Sequence, residues 1–317
     1  MKKTVTFIVT LALSLCLLSG CTSASDSAKN IRIGSLKGPT SIGLMKMMDD
    51  TSYSFELATT ADELLPKMIS GDLDIALVPA NVSSVLYNKS EGAVQVIDIN
   101  TLGVLYAVSA DDSITSVKDL VGKNVYITNK GTTPDYITQY LLKANGIDIS
   151  DVNIEYKSES AEVAAILNSD PEAVGILPQP FVTACMLKND SLKDVLDLTA
   201  EWDKINPDSQ LLTGVTIVRK EFLENNKDAV TRFMKDHEES VEYAVSNVED
   251  TADKVVEAGI IEKEPLAVKA IPKCNVVYID GSKMQNDLMG YLEVLYELDP
   301  SSVGGKLPND DFYYMAE

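Results

Sequence analysis

The stretch Ile31-Arg32-Ile33-Gly34-Ser35-Leu36-Lys37-Gly38-Pro39-Thr40-Ser41 decides the fold class of this chain. Its first six residues place isoleucine at alternate positions, as in a strand, and Gly38-Pro39 then breaks the strand. Thr40 or Ser41 can cap a helix that we predict to run to Met48. A strand followed directly by a helix is the first half of a βαβ unit, so the segment predicts an α/β fold.

The same alternation of strand and helix continues along the chain. Further strands are predicted at 53–57, 74–78, 125–128, 154–156 and 174–177, and helices at 61–69, from Asn81, at 135–144, 161–167 and 181–187. Short apolar strands separated by amphipathic helices indicate mostly parallel sheets covered by helices. The middle of the chain is therefore expected to repeat the plan of the first part as a second lobe.

Two long apolar strands, 104–109 and 211–218, border this repeat. A long helix over 220–247 and a strand at 276–279 are predicted to follow. We expect lobe I to comprise residues 31–109 and 211–317, and lobe II residues 110–210. Two α/β lobes joined by two crossing strands form a hinge with a central cleft, where a small ligand can bind and be enclosed.

The N-terminus has the pattern of an export signal. Lys2 and Lys3 precede an apolar run, which ends at Leu18-Ser19-Gly20-Cys21. This ending resembles the lipobox of bacterial lipoproteins and predicts a signal peptide over 1–20, lipidation of Cys21 and a polar tether over 21–30. The alternative is an ordinary secretory signal with an incidental cysteine. No later stretch has the roughly 18 uninterrupted apolar residues that a membrane-spanning helix needs.

Charge and cysteine content exclude several classes. The chain carries 48 acidic and 27 basic residues, a net charge of −21, which would repel nucleic acid and favour a soluble protein. Beyond Cys16 and Cys21, only Cys185 and Cys274 remain, without zinc-site spacing. A disulfide is conceivable in an exported protein, but the two cysteines fall in different predicted lobes, which favours free thiols. We predict no metal and no cofactor.

Five short motifs occur in a consistent order behind the lipobox-like ending. They are Ile31-Arg32-Ile33-Gly34, Gly71-Asp72-Leu73-Asp74-Ile75-Ala76, Ser116-Val117-Lys118-Asp119-Leu120-Val121-Gly122-Lys123, Gly131-Thr132-Thr133-Pro134 and Leu177-Pro178-Gln179-Pro180-Phe181. Together they resemble the substrate-binding proteins of nitrate, sulfonate (SsuA-like), taurine and thiamine-precursor ABC importers, close to the NMT1/THI5-like family. The resemblance implies a type II periplasmic-binding-protein fold, a small-molecule ligand, and a permease and an ATPase as partners. Gln179 departs from the glutamate that members often have there, which makes a cationic ligand less expected.

Candidate ligand-binding residues follow from the predicted fold, because ligands of open α/β sheets lie beyond the carboxyl ends of the strands, where helices begin. Backbone N–H groups and hydroxyls at such helix starts suit an anion. The candidates are Lys37, Gly38, Pro39, Thr40, Ser41, Asn81, Gly131, Thr132, Thr133, Gln179 and Thr213. For the threonines and for Asn81, the alternative is that they only cap helices.

These features predict an extracytoplasmic, lipid-anchored solute-binding protein, monomeric, that delivers a small polar or anionic molecule. The ligand classes are sulfonates, nitrate-like anions and pyrimidines or thiamine precursors. Alternatives are a ligand-sensing lipoprotein without its own permease, or a THI5-like or menaquinone-pathway enzyme of the same fold. The chain lacks HExxH, G-x-S-x-G and nucleotide-loop motifs, and its only histidine, His237, is predicted to flank a helical core. We therefore predict no catalytic residues.

Overall fold

The computed structural model describes residues 30–315. The predicted signal peptide over 1–20, the lipidated Cys21 and the tether up to residue 29 lie outside the described residues. Across residues 30–315, the length and apolar content needed to cross a membrane are not combined in any helix.

Strands and helices alternate through most of the described chain. The strands are β1 Ile31–Leu36, β2 Tyr53–Ala58, β3 Ile75–Pro79, β4 Val94–Leu102, β5 Leu105–Ser109, β6 Asn124–Thr128, β7 Asn153–Lys157, β8 Val174–Pro178, β9 Lys193–Asp197, β10 Leu212–Arg219 and β11 Val276–Ile279. The helices are α1 Pro39–Ile42, α2 Ala61–Ser70, α3 Ala80–Lys89, α4 Thr133–Ala144, α5 Ser160–Ser169, α6 Phe181–Lys188, α7 Leu198–Asp203, α8 Lys220–Asn225, α9 Lys227–Ser246, α10 Val248–Glu257, α11 Glu264–Ala270 and α12 Gly281–Leu298.

The strands form two sheets with the same plan. The first has the order β11-β4-β10-β3-β1-β2 and the second β7-β6-β8-β5-β9. In each sheet three strands pair in parallel, β1, β2 and β3 in the first and β6, β7 and β8 in the second, and an antiparallel strand lies beside β3 or β8. This arrangement confirms the predicted α/β class and the repeated plan of the second lobe.

The antiparallel strand beside β3 is β10, and the one beside β8 is β5. Each is the first strand of its sheet after the chain crosses from the other sheet. Strand β5, which the sequence assigned to lobe I, pairs only with β8 and β9 of the second sheet. The chain therefore leaves the first sheet after Leu102, at Gly103, and not after Ser109; an apolar run does not by itself reveal which sheet it joins. It returns at β10, whose Leu212 lies opposite Leu102. We treat each sheet with its covering helices as one lobe, and we propose that the lobe boundaries lie at these two crossings.

The first sheet is covered on both faces. Along β3, Ile75 and Leu77 belong to one apolar core, which includes Phe233 of α9, while Ala76 and Val78 belong to the other core. Because both faces are buried, β3 needs apolar residues at every position, which explains its uninterrupted apolar run.

Two buried carboxylates make polar contacts in the first sheet, one at the amino end of β3 and one on β4. Asp74, at the amino end of β3, is fully buried and accepts hydrogen bonds from Arg32 Nε (2.9 Å) and Nη2 (2.6 Å). Arg219 Nη2 lies 3.5 Å from the same carboxylate. Deeper in the sheet, Asp98 accepts a hydrogen bond from Thr216 Oγ1 at 2.6 Å and contacts the buried His237. These contacts assign Asp74 and His237 to the interior of the first lobe.

One predicted helix is shorter in the structure, and another is divided into two helices. The first, α1, ends at Ile42 and not near Met48, and a 3-10 turn, Met47–Asp49, follows. Gly43 sits against α9, where an added Cβ would lie 2.7 Å from Val241 Cγ2. The predicted helix over 220–247 is two helices, α8 and α9, with Asn226 between them.

The two remaining cysteines are buried and unpaired. Cys185 lies in α6 of the second lobe and Cys274 precedes β11 of the first lobe. The prediction of two free thiols is confirmed. Burial raises the pKa of both thiols, Cys274 to about 12, so neither is a reactive thiolate near neutral pH.

Candidate functional site

A cavity of about 290 Å³ lies between the lobes, and it is here called the cleft cavity. Its walls come from the carboxyl ends of β1, β2, β3 and β8, from the start of α4 and from both crossings between the sheets. The lining residues are Leu36, Lys37, Gly38, Pro39, Thr40, Thr59, Pro79, Gly103, Val104, Leu105, Thr133, Pro134, Pro178, Leu211, Leu212 and Thr213. This is the position at which α/β sheets bind ligands.

The polar side chains among the lining residues are one lysine and four threonines, Lys37, Thr40, Thr59, Thr133 and Thr213. No carboxylate is among the lining residues of the described chain, although the protein as a whole is strongly acidic. The local charge of the cleft cavity is thus opposite in sign to that of the whole chain, and it suits an anion or a polar acceptor.

The loop after β1 divides its polar residues between the cavity and the protein interior. Ser41 Oγ is buried and hydrogen bonds with Ser35 Oγ (2.6 Å) and the Leu36 carbonyl (2.6 Å). Thr40 lines the cavity and packs against Gly214, where an added Cβ would lie 2.5 Å from Thr40 Cγ2. Ser41 therefore shapes the loop, while Lys37 and Thr40 face the cavity.

In the loop before α4, a backbone N–H that was predicted to bind an anion donates instead to a carboxylate of the protein. Asp135 accepts a hydrogen bond from the Gly131 N–H (2.8 Å) and another from Tyr156 Oη (2.9 Å). Thr132 Oγ1 donates to the Asn129 carbonyl (2.6 Å). Burial, with the hydrogen bond to Asp135, raises the pKa of Tyr156 to about 12. Of the predicted trio Gly131, Thr132 and Thr133, only Thr133 lines the cavity.

Two further candidates lie close to the cleft cavity without lining it. Asn81 is in the first turn of α3, which begins at Ala80, and its Nδ2 donates to the Ser302 carbonyl at 3.2 Å. Gln179 is 2% exposed, and its Oε1 accepts a hydrogen bond from Thr183 Oγ1 at 2.7 Å. Its Nε2 has no hydrogen-bond partner among the described residues.

Sequence reasoning missed several lining residues. Thr59 follows β2 directly, so the strand-end rule that selected Lys37 could have found it. Gly103 and Leu211 belong to the two crossings. They lie side by side: a Cβ added to Gly103 would be 2.8 Å from the Leu211 side chain. Apolar residues at such a position carry no sequence signal that separates them from ordinary core residues.

The strand order of both sheets, the two crossings and the cleft between the lobes define a type II periplasmic-binding-protein fold, as predicted. The family model described as NMT1/THI5 like matches residues 68–251, more than half of the chain, and the chain belongs to this family.

Several known proteins are similar to this chain over most of its length. A Brucella abortus protein, whose name assigns it a provisional binding role and no ligand, is 24% identical over 251 residues, which cover 78% of this chain and 76% of that protein. The structure of an ABC transporter from Parabacteroides distasonis matches with a TM-score of 0.78 and 22% identity, over 91% of this chain and 100% of that one. The periplasmic aliphatic sulphonate binding protein SsuA of Escherichia coli matches with a TM-score of 0.71 and 15% identity, over 87% and 96%.

Proposed function

We propose that this protein is the extracytoplasmic solute-binding lipoprotein of an ABC importer, and that it binds a small anionic or polar molecule between its lobes. The observation that carries the proposal is the cleft cavity, whose lining among residues 30–315 includes Lys37 and four threonines and no carboxylate. An ammonium with several hydroxyl donors around a largely apolar cavity can hold a sulfonate-like, nitrate-like or pyrimidine-type ligand through charge and hydrogen bonds.

The proposed binding residues are those of the original candidates that line the cavity: Lys37, Gly38, Pro39, Thr40, Thr133 and Thr213. Gln179 can join them because its Nε2 is a buried donor without a partner among the described residues, and Pro178 beside it lines the cavity. Ser41, Asn81, Gly131 and Thr132 are proposed to hold the surrounding loops in place. The sulphonate named for the Escherichia coli protein supports an anionic ligand class.

The remaining parts of the proposal concern location and partners. Residues 1–20 act as a signal peptide, Cys21 carries lipid, and the residues after it tether a monomer to the outer face of the cell membrane. The lobes, with boundaries near Gly103 and Leu211, close over the ligand and present it to a permease with its ATPase. A sensing lipoprotein without a permease would use the same cleft.

A binding role is favoured over catalysis by the chemistry of the cleft cavity. Its polar lining consists of threonines and a lysine, with no carboxylate or histidine to act as a general base. The single histidine, His237, is fully buried in the first lobe, beside Asp98 and Phe233.

Native mass spectrometry of the soluble protein from Thr22 onward, before and after partial unfolding, tests the proposal first. A co-purifying small molecule would name the ligand class. With an empty protein, sulfonates, nitrate and pyrimidines are screened by thermal shift. A failure of all of them to raise the melting temperature would contradict the proposed ligand classes.

The Lys37→Gln variant tests the role of the ammonium. We expect about tenfold weaker binding of an anionic ligand, because one charge-assisted hydrogen bond contributes roughly 1.5 kcal/mol or more. Lys89→Gln is the matched control, since Lys89 is exposed at the end of α3 and does not line the cavity. Equal affinities of the two variants would show that Lys37 does not hold the ligand.

A further inference from the structure

A second cavity, of about 560 Å³, adjoins the cleft cavity and is here called the groove. The two share Lys37 and Gly38 in their walls. Sites for small organic ligands occupy roughly 300–1,000 Å³. The cleft cavity alone falls at the lower limit of that range, whereas the cleft cavity together with the groove lies well within it.

Apolar and small side chains make up most of the groove. From the second lobe they come from α5 and α6, and from the first lobe they come from the segment 260–266. These residues are Ala161, Ala164, Ala165, Pro180, Phe181, Ala184, Cys185, Ile260, Ile261 and Leu266. Phe181 is 44% exposed, although it lies between packed helices. Alanines on both helices leave the space that larger side chains would fill.

Charged and amide groups complete the lining of the groove. Lys37 is shared with the cleft cavity, while Asn168, Lys188 and Glu262 are contributed by α5, by α6 and by the first lobe. Between the two cavities, Gln179 stands beside Pro178 of the cleft cavity and Pro180 of the groove, with its buried Nε2 unpartnered among the described residues. A polar head near Lys37 and Gln179 would therefore direct an apolar substituent into the groove.

The groove lies between the lobes and not on one outer face. Helix α6 of the second lobe contacts α11 of the first lobe beside it. A cavity with walls from both lobes, which shares Lys37 and Gly38 with the cleft cavity, suits a part of the same small ligand better than it suits a protein partner.

We propose that the groove is an apolar subsite of the ligand site, so that the physiological ligand is an organic molecule with a compact anionic or polar head and an apolar substituent. This inference rests on the proposed binding function and deepens it. It separates the candidate ligand classes, because a bare oxyanion such as nitrate has no apolar substituent and would leave the groove without an occupant.

The first test compares methanesulfonate with 1-butanesulfonate by isothermal titration calorimetry on the full-length protein. Each methylene buried in the groove should tighten binding about fourfold, so three methylenes give up to about 60-fold. In Ala165→Leu, the new side chain fills the groove. The gain from methanesulfonate to 1-butanesulfonate should then fall to about threefold or less. Ala200→Leu, at an exposed position outside both cavities, should keep the gain.

A second test does not depend on the head group. Titration of 1-hexanol into protein labelled at alanine and isoleucine methyls should shift the signals of Ala161, Ala165 and Ile260 in a saturable way. If the sulfonates do not bind but hexanol shifts these methyls, the groove proposal stands and the proposed sulfonate head is wrong. Equal affinity for both sulfonates overturns the groove proposal and leaves the binding function intact. Absence of methyl shifts, or shifts that follow protein concentration instead of hexanol, also overturns it.

Discussion

Asp74 offers a sharp test of what holds the first lobe together. It belongs to the motif Gly71-Asp72-Leu73-Asp74-Ile75-Ala76, and its buried carboxylate accepts hydrogen bonds from Arg32 Nε, Arg32 Nη2 and the Arg32 backbone N–H (3.1 Å). The hydrogen bond to Asp74 is the main cause that raises the pKa of Arg32 above its ordinary value. Asp74→Ala would leave this guanidinium and a backbone N–H without their acceptor.

The magnitude follows from burial. Removing one partner of a buried ion pair costs about 3–5 kcal/mol, and the lower limit applies here because Arg32 is 39% exposed and water can partly replace the lost contact. We therefore expect Asp74→Ala to lower the free energy of unfolding by about 3 kcal/mol. For a domain of this size that is a fall in melting temperature of about 6–12 °C.

Differential scanning calorimetry measures this change, with Asp72→Ala as the control from the same motif. Asp72 is exposed and accepts a hydrogen bond from the Ser70 hydroxyl, so its loss should cost about 0.5 kcal/mol or less. Ligand affinity at low temperature should survive, because Asp74 lies at the opposite end of β3 from Pro79 in the cavity wall. Equal melting temperatures for the two variants would refute the reasoning. So would loss of binding without loss of stability.

Two further predictions concern the second lobe and the cavity wall. The hydrogen bond from Lys123 is the main cause that lowers the pKa of Asp111 to about 2, so the stabilisation is present above about pH 4 and is lost as the pH falls through about 2. The melting temperatures of wild type and Asp111→Asn should therefore converge between pH 4 and pH 2, and a gap that stays constant would contradict the ion pair. Gly214→Ala should cost about 1–3 kcal/mol and weaken ligand binding, because its Cβ would lie 2.5 Å from both Asn100 Oδ1 and Thr40 Cγ2. Gly38→Ala is the control: nothing lies within 4 Å of its added Cβ, so its free energy of unfolding should equal that of the wild type. Denaturant unfolding of both variants measures the difference.

The local sequence pattern predicted the positions of strands and helices better than it predicted which strands pair with each other. The alternation of strand and helix from Ile31 onward, and the rule that ligands lie beyond strand ends, placed Lys37, Thr40 and Thr133 in the cavity wall. The sheet to which β5 belongs was missed because pairing of an apolar strand is decided by tertiary contacts. The early end of α1 was also missed; Gly43, which follows it, lies against Val241 of α9, a long-range contact that one segment cannot reveal.

The loop before α4 shows a signal that was present but not used. Thr132 is followed three residues later by Asp135, the spacing at which an acidic side chain folds back on the start of its own helix. Asp135 accepts the hydrogen bond from the Gly131 N–H that a bound anion would otherwise take. By contrast, Leu105 and Leu211 carry no signal in the sequence, because their place in the cavity wall results from the crossing of the two chain segments.

The pairing of Leu102 with Leu212 has a consequence for the order in which the protein acquires its structure. Strands β4 and β10 are antiparallel neighbours, and all five strands of the second sheet lie in the stretch of chain between them. The second lobe can thus complete its sheet as soon as β9 has emerged during synthesis or export, whereas the first lobe must wait for β10 to fill the gap between β3 and β4. The first lobe, whose chain begins first, therefore completes its sheet last. A chain that stopped before residue 212 would have a complete second sheet but an unpaired edge in the first sheet, a surface prone to aggregation.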